Sequence, residues 1–133
     1  MKAVFANGPK VVTKPWGREI WLELNGRYCY KRIEMRAGHK SSLQHHELKL
    51  ETNFIEKGEL VLMIENESGA MTGHKLKAGD YFTVAPPRMH RVIAVTDIVL
   101  MEVSTPEVDD VVRHADDAGR SDGRIESEHA QSR

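Results

Sequence analysis

The chain holds a single cysteine, Cys29, in 133 residues, so no intrachain disulfide framework can form. That absence suits a reducing compartment, and the expectation is a cytoplasmic protein. Cys29 lies within RYCYKRIEM with no histidine close by, and it reads as a packed thiol and not as a nucleophile. Nor is there an apolar run approaching the roughly 20 residues of a membrane-spanning helix. The opening MKAVFANGPK is too short in its apolar part for a secretory signal. Neither charge sign is in excess: 19 basic residues stand against 20 acidic ones, for a net charge of -1. Nucleic acid or an anionic membrane therefore has no electrostatic case as a partner. No amphipathic helix of three turns is legible before residue 105, and there is no internal repeat or second domain.

What the chain does have is a succession of short runs broken by Gly, Pro and Asn. The spacing is roughly ten residues, which predicts an all-β sandwich or barrel. Strands are expected at Trp16–Leu24, Arg27–Met35, Glu51–Glu56, Glu59–Glu65, Met71–Leu76, Tyr81–Val84, His90–Ala94 and Ile98–Ser104. Asn25-Gly26 is a hairpin signal, and Lys57-Gly58 is a second turn. Glu59–Glu65 is apolar on both faces, as in a strand deep within a layered sheet. Glu107–His114 could form one or two helical turns after Pro106. Residues 1–114 read as one domain with an N-terminal edge strand, and 115–133 as a polar, partly disordered tail.

Against this β background stands a spaced set of donors. Gly38-x5-Gln44-x-His46-x4-Glu51-x6-Gly58 is followed by Gly79-x10-His90. Residues i and i+2 of an extended chain point to one side. Gln44 and His46 can therefore face a carboxylate from the next strand and a histidine from a distant hairpin. Two imidazoles, one carboxylate and one amide suit one divalent metal ion (Zn, Mn, Fe, Co or Ni) and leave positions free for substrate. His45, between two of these donors, points to the opposite face.

With donors and strands placed together, the chain resembles the cupin superfamily. The resemblance implies an antiparallel double-stranded β-helix, or jelly roll, with Gln44, His46, Glu51 and His90 as metal ligands. The first cupin motif is matched in every spacing, with Gln44 at its first histidine. The second is matched at Gly79 and His90 and departs at Ala85, Pro87 and Ala94. A closer resemblance is to the cupin domain of type II phosphomannose isomerases. It is carried by KPWGREIWL, SSLQHH, PPRMHR and MEVSTPEVDDVVRHADDAGR, in that order, over about residues 11–120.

That resemblance implies a metal-dependent sugar-phosphate isomerase acting on mannose-6-phosphate or a similar sugar. Glu51 and Glu102 are the candidate proton-transfer groups, and Arg91, Lys49 and Arg88 the candidate phosphate contacts. Lys49 stands where the isomerases carry Arg. It keeps the charge and loses the bidentate fork, which favours the alternative of a non-catalytic sugar- or sugar-nucleotide-binding cupin. A metal-dependent oxygenase ranks third. The motif Asp109-Asp110-Val111-Val112-Arg113 could bind across a dimer or fold back on the barrel, and its carboxylates could be catalytic; a solvated turn with an Asp–Arg pair is the preferred reading. A homodimer paired through the edge KVVTKPWGREI is expected by analogy.

Overall fold

The computed structural model describes residues 9–115 and 123–124. Twelve strands occur among them: β1 (Lys10–Lys14), β2 (Gly17–Leu24), β3 (Cys29–Met35), β4 (Leu43–His45), β5 (Glu51–Lys57), β6 (Glu59–Glu65), β7 (Met71–Lys77), β8 (Tyr81–Val84), β9 (His90–Ala94), β10 (Ile98–Ser104), β11 (Val112–Ala115) and β12 (Gly123–Arg124). They form two six-stranded sheets, ordered β1-β2-β3-β10-β5-β8 and β12-β11-β4-β9-β6-β7. Every pairing is antiparallel. This is the all-β barrel that the strand spacing predicts, in the jelly-roll form that the resemblance implies, and β1 is its N-terminal edge strand. Within the stretch read as a tail, Gly123–Arg124 pairs with β11. Residues 116–122 and 125–133, including His129, lie outside the described residues.

Local chemistry explains the turns. Asn25 joins β2 to β3 by accepting from the backbone N–H of Arg27 and Tyr28 at 2.9 and 3.1 Å. At Gly58, between β5 and β6, φ is +91° and an added Cβ would lie 2.3 Å from the Asp97 carbonyl oxygen. Only glycine meets both demands without strain.

The segment after Pro106 is not helical. It makes tight turns, with Val108 N–H donating to Pro106 O at 2.8 Å and Val111 N–H to Asp109 O at 2.9 Å, and then enters β11. Two forces override the helical reading. Val108 and Val111 are buried against the barrel, and the Asp110 carboxylate is taken up by another loop, as described below.

The interior is layered. One apolar cluster gathers Trp16, Ile33, Met35, Ile55, Leu60, Leu62, Phe82, Val84, Val92, Ala94, Ile98 and Leu100; a second gathers Val12, Trp21, Cys29 and Val108. Between them runs a polar row. Lys31, Glu102 and Asn53 are cross-strand neighbours on β3, β10 and β5, and all three are buried. Burying a large aliphatic side chain stabilises by roughly 1.5–3 kcal/mol, while an unpaired buried polar group costs about 1–3 kcal/mol. Such a row survives only if its members are paired, and this row adjoins the donor set.

Candidate metal centre

His46 follows β4, Glu51 opens β5 and His90 opens β9, so three separate elements deliver three buried side chains to one place. Their ligand atoms lie within 4.8 Å of one another. Glu51 Oε1 is 2.8 Å from His46 Nε2 and 3.5 Å from His90 Nε2. The hydrogen bonds behind the rings fix their chemistry. His46 Nδ1–H donates to the Asp110 carbonyl at 2.7 Å, and His90 Nδ1–H donates to the Arg88 carbonyl at 3.1 Å. A carbonyl can only accept, so each neutral imidazole carries its proton on Nδ1 and turns a bare Nε2 lone pair toward Glu51. Two lone pairs and a carboxylate oxygen then converge with no proton between them unless a ring is charged. A cation resolves that convergence, and backbone carbonyls behind metal-binding histidines are the usual orienting partners. The residues present therefore fit a divalent ion.

Gln44 supplies a fourth donor. It pairs in register with His90 and lines the same cavity. Its Oε1 accepts from Ser42 Oγ–H at 2.7 Å, which leaves the second lone pair of that oxygen available. Glu51 is held from behind as well, its Oε2 accepting from Asn53 Nδ2 at 2.8 Å. Burial would raise the Glu51 carboxyl. The Lys49 ammonium close by outweighs burial and holds it well below the usual carboxylate range.

The loop joining His46 to Glu51 is anchored by Asp110. Its carboxylate accepts the backbone N–H groups of Glu47, Leu48 and Lys49 at 3.2, 2.6 and 3.0 Å, while its carbonyl takes His46 Nδ1–H. Thr105 adds a further tie, accepting Leu50 N–H at 3.0 Å. The expected solvated turn is instead a buried clamp. The Asp–Arg motif folds back on the barrel, and Arg113, also buried, pairs in register with Gln44.

The other expected site residues divide. Lys49 and Glu102 line the cavity, both buried, with Lys49 Nζ 3.1 Å from Glu102 Oε2. Burial lowers Lys49, but Glu102, Glu51 and Glu19 overcome it and keep the ammonium charged. Burial pushes the Glu102 carboxyl above its ordinary value; Lys49 opposes the rise and Glu51 adds to it. Arg88 and Arg91 do not line the cavity. Arg91 follows the inward His90 and so faces the other side of β9, where its Nε–H donates to the Ser41 carbonyl at 3.0 Å. Arg88 contributes its carbonyl to His90. His45 faces outward and lies 2.7 Å from His114.

Sequence reasoning missed Asn53, misplaced Asp110, and missed an ion pair lining the same cavity. Lys31 Nζ lies 3.2 Å from Glu19 Oε1, which also accepts Trp21 Nε1–H at 2.9 Å. Lys31 is also stacked over the Trp21 ring at 4.4 Å. The cavity, open on one side, has a volume of about 90 Å³.

No family model matches the chain, and neither does any curated protein. Solved structures do match. An RmlC-like cupin from Shewanella frigidimarina superposes with a TM-score of 0.65 at 20% identity, covering 83% of this chain and 95% of that one. KdgF from Halomonas sp. gives 0.62 at 17% identity over 73% and 86%. The capsular polysaccharide assembling protein CapF from Staphylococcus aureus gives 0.70 at 12% identity, covering 84% of this chain and 33% of CapF. These neighbours are cupin-superfamily proteins. The fold is the cupin jelly roll, with a His–Glu–His group inside it that could hold a metal.

Proposed function

We propose that the chain is a metal-dependent cupin isomerase, interconverting the aldose and ketose forms of a small phosphorylated sugar of the mannose-6-phosphate kind. Gln44, His46, Glu51 and His90 would hold the ion, which supplies polarisation of the substrate's C1 and C2 oxygens. The observation that carries the reading is Glu102. It is a buried carboxyl outside the donor triad, on the same inner face as Glu51 and one cross-strand diagonal away. Its raised pKa makes it a stronger base near neutrality than an ordinary carboxylate.

Acting on an aldose, Glu102 takes the C2 proton and returns it to C1, while the O2 hydroxyl proton passes to O1, so that atoms balance and a ketose results. Lys49 stays charged beside Glu102 and limits the negative charge that builds up there. Asn53 and Asp110 hold Glu51 and His46 in place. The apolar clusters on either side exclude water from the proton in transit. Pairing of two copies through the β1 edge belongs to the same proposal.

The test is deuterium wash-in. Metal-loaded protein in D2O with aldose phosphates should incorporate deuterium at C1 of the ketose product, and Glu102→Gln should abolish it. Absence of exchange with any triose to heptose phosphate would refute the isomerase. A second reading, a non-catalytic sugar-binding cupin, is favoured by one observation: neither Arg88 nor Arg91 reaches the cavity. Sugar-phosphate binding without exchange would select it.

A further inference from the structure

The outer face of the β1-β2-β3-β10-β5-β8 sheet is apolar where the solvent side of an antiparallel sheet is ordinarily polar. One row crosses all six strands in unbroken register: Val11, Ile20, Arg32, Met101, Phe54 and Tyr81. The adjoining row sets Tyr30 beside Val103, and Thr52 beside Thr83, whose hydroxyls share a hydrogen bond at 2.8 Å. Leu22, at the β2 bulge, is exposed as well. All three tyrosines of the chain are exposed, and two of them lie on this face. Tyrosine is a residue that protein interfaces enrich.

Area and charge narrow the partner. Tyr30, Phe54 and Tyr81 are 40, 46 and 69% exposed. With about 200 Å² for a whole aromatic side chain, these rings alone leave roughly 300 Å² in water. That reaches the size at which an apolar patch on a monomer is often functional, about 300–600 Å². With Leu22, Val103 and the polar margin, the face comes to the scale of the ~800 Å² that each partner gives to a stable interface. The margin is ionic: Arg18 and Arg32 donate to Glu34, and Arg32 also donates to Glu56. Two guanidinium groups against two carboxylates leave it neutral and paired within itself. Such a face offers little to a strongly charged partner and does not repel a copy of itself.

The order along the long row is self-complementary. Aliphatic Val11 and Ile20 stand at its β1 end, aromatic Phe54 and Tyr81 at its β8 end. Sheets that pack face to face keep their strands within about 30° of each other. A twofold axis along the strands, midway between β3 and β10, lays β8 of one copy over β1 of the other and β5 over β2. The aromatic end of each copy then covers the aliphatic end of the other, and Arg18 on β2 comes opposite Glu56 on β5. We propose that two copies of the chain pack through this face about such an axis. The contact is distinct from pairing through the β1 edge, which leaves both outer faces open; the two together would close a four-copy assembly with perpendicular twofold axes. It involves none of the metal donors, which line the barrel cavity.

The experiment is sedimentation equilibrium on the full chain at about 100 µM, above the micromolar-to-picomolar range in which interfaces of this size dissociate. The unaltered protein should sediment at two or four times the mass of one chain. The double variant Phe54→Lys/Tyr81→Lys, altered at two exposed positions, should halve that mass. A second measurement does not depend on the folding of that variant. Val103→Cys, on β10 beside the axis, should be linked into pairs by a short bismaleimide, while Lys75→Cys, on the outer face of the other sheet, should not. Cys29 is buried and does not compete. A single-chain mass for the unaltered protein, an unchanged mass for the folded double variant, no linking of Val103→Cys, or equal linking of the two cysteine variants would overturn the proposal.

Discussion

Three single residues carry the chemistry that the sequence only half discloses. Asp110 is the first. Its carboxylate receives three backbone N–H groups of the loop between two donors, and its carbonyl sets the tautomer of one of them. Charge-assisted hydrogen bonds of this kind contribute about 1.5–3 kcal/mol each and are not additive, so Asp110→Ala should cost roughly 3 kcal/mol in urea unfolding. Metal affinity should fall with it in a chelator competition, and Asp110→Asn should recover part of both.

Cys29 is the second: fully enclosed, with burial pushing its thiol upward. It should resist a disulfide reagent at pH 8 in the native protein and react with one equivalent after denaturation, as the packed-thiol reading from sequence expects. Lys31 is the third. In CYKRIEM its side chain points inward with Cys29, Ile33 and Met35, yet by composition it looks solvent-facing. A charged residue on a half-apolar strand can face either way until its partner is known, and the partner, Glu19, lies on another strand.

At the scale of elements, β structure was legible where alternation and turn residues agreed. The eight expected strands all occur, with ends displaced by at most two residues. The short β4 was legible only through its donors, and β11 was not legible. Its Val-Val pair follows an acidic turn that mimics a helix start, and what decides the outcome is a loop some sixty residues upstream. Arg91 shows the same period-2 rule applied incompletely. If His90 faces inward, its neighbour cannot, and the phosphate contact expected of Arg91 would have to be made from the far side of the sheet.

The β5–β6 turn offers a test of element-scale strain. Gly58→Ala places a Cβ 2.3 Å from the Asp97 carbonyl in a left-handed backbone. It should destabilise by about 2–3 kcal/mol in chemical denaturation, from strain and displacement of that carbonyl. A loss of less than half that would mean the turn relaxes freely.

For the whole molecule, the fold balances two apolar clusters against a buried polar row that converges on the donors. The metal-free form should therefore be pH-sensitive in a definite direction. Glu51 has a folded pKa below its unfolded value, so the unfolded chain takes up the proton first. Its stabilisation is present above the ordinary carboxylate pKa of about 4.3 and is lost as pH falls toward the lower folded value. Acid titration of unfolding free energy should show that loss in the unaltered chain and a flatter profile in Glu51→Gln.

Metal should also stabilise by mass action, by about 2.7 kcal/mol at a free concentration of one hundred times Kd. Chelation should reverse the gain. The donors were legible because their spacing spans a strand, a loop and a distant hairpin in a pattern that has few other uses. The lysine and glutamate row was not, because its pairing exists only after the barrel closes.

The central claim is that Gln44, His46, Glu51 and His90 form one metal centre. The most direct measurement is metal content of tag-free protein by plasma mass spectrometry, beside the His46→Ala/His90→Ala double variant. The account predicts about one equivalent of a divalent ion in the unaltered chain and none in the folded variant. No metal in the unaltered chain even after reloading, or equal metal in both, would contradict it and leave the four residues as a buried polar network.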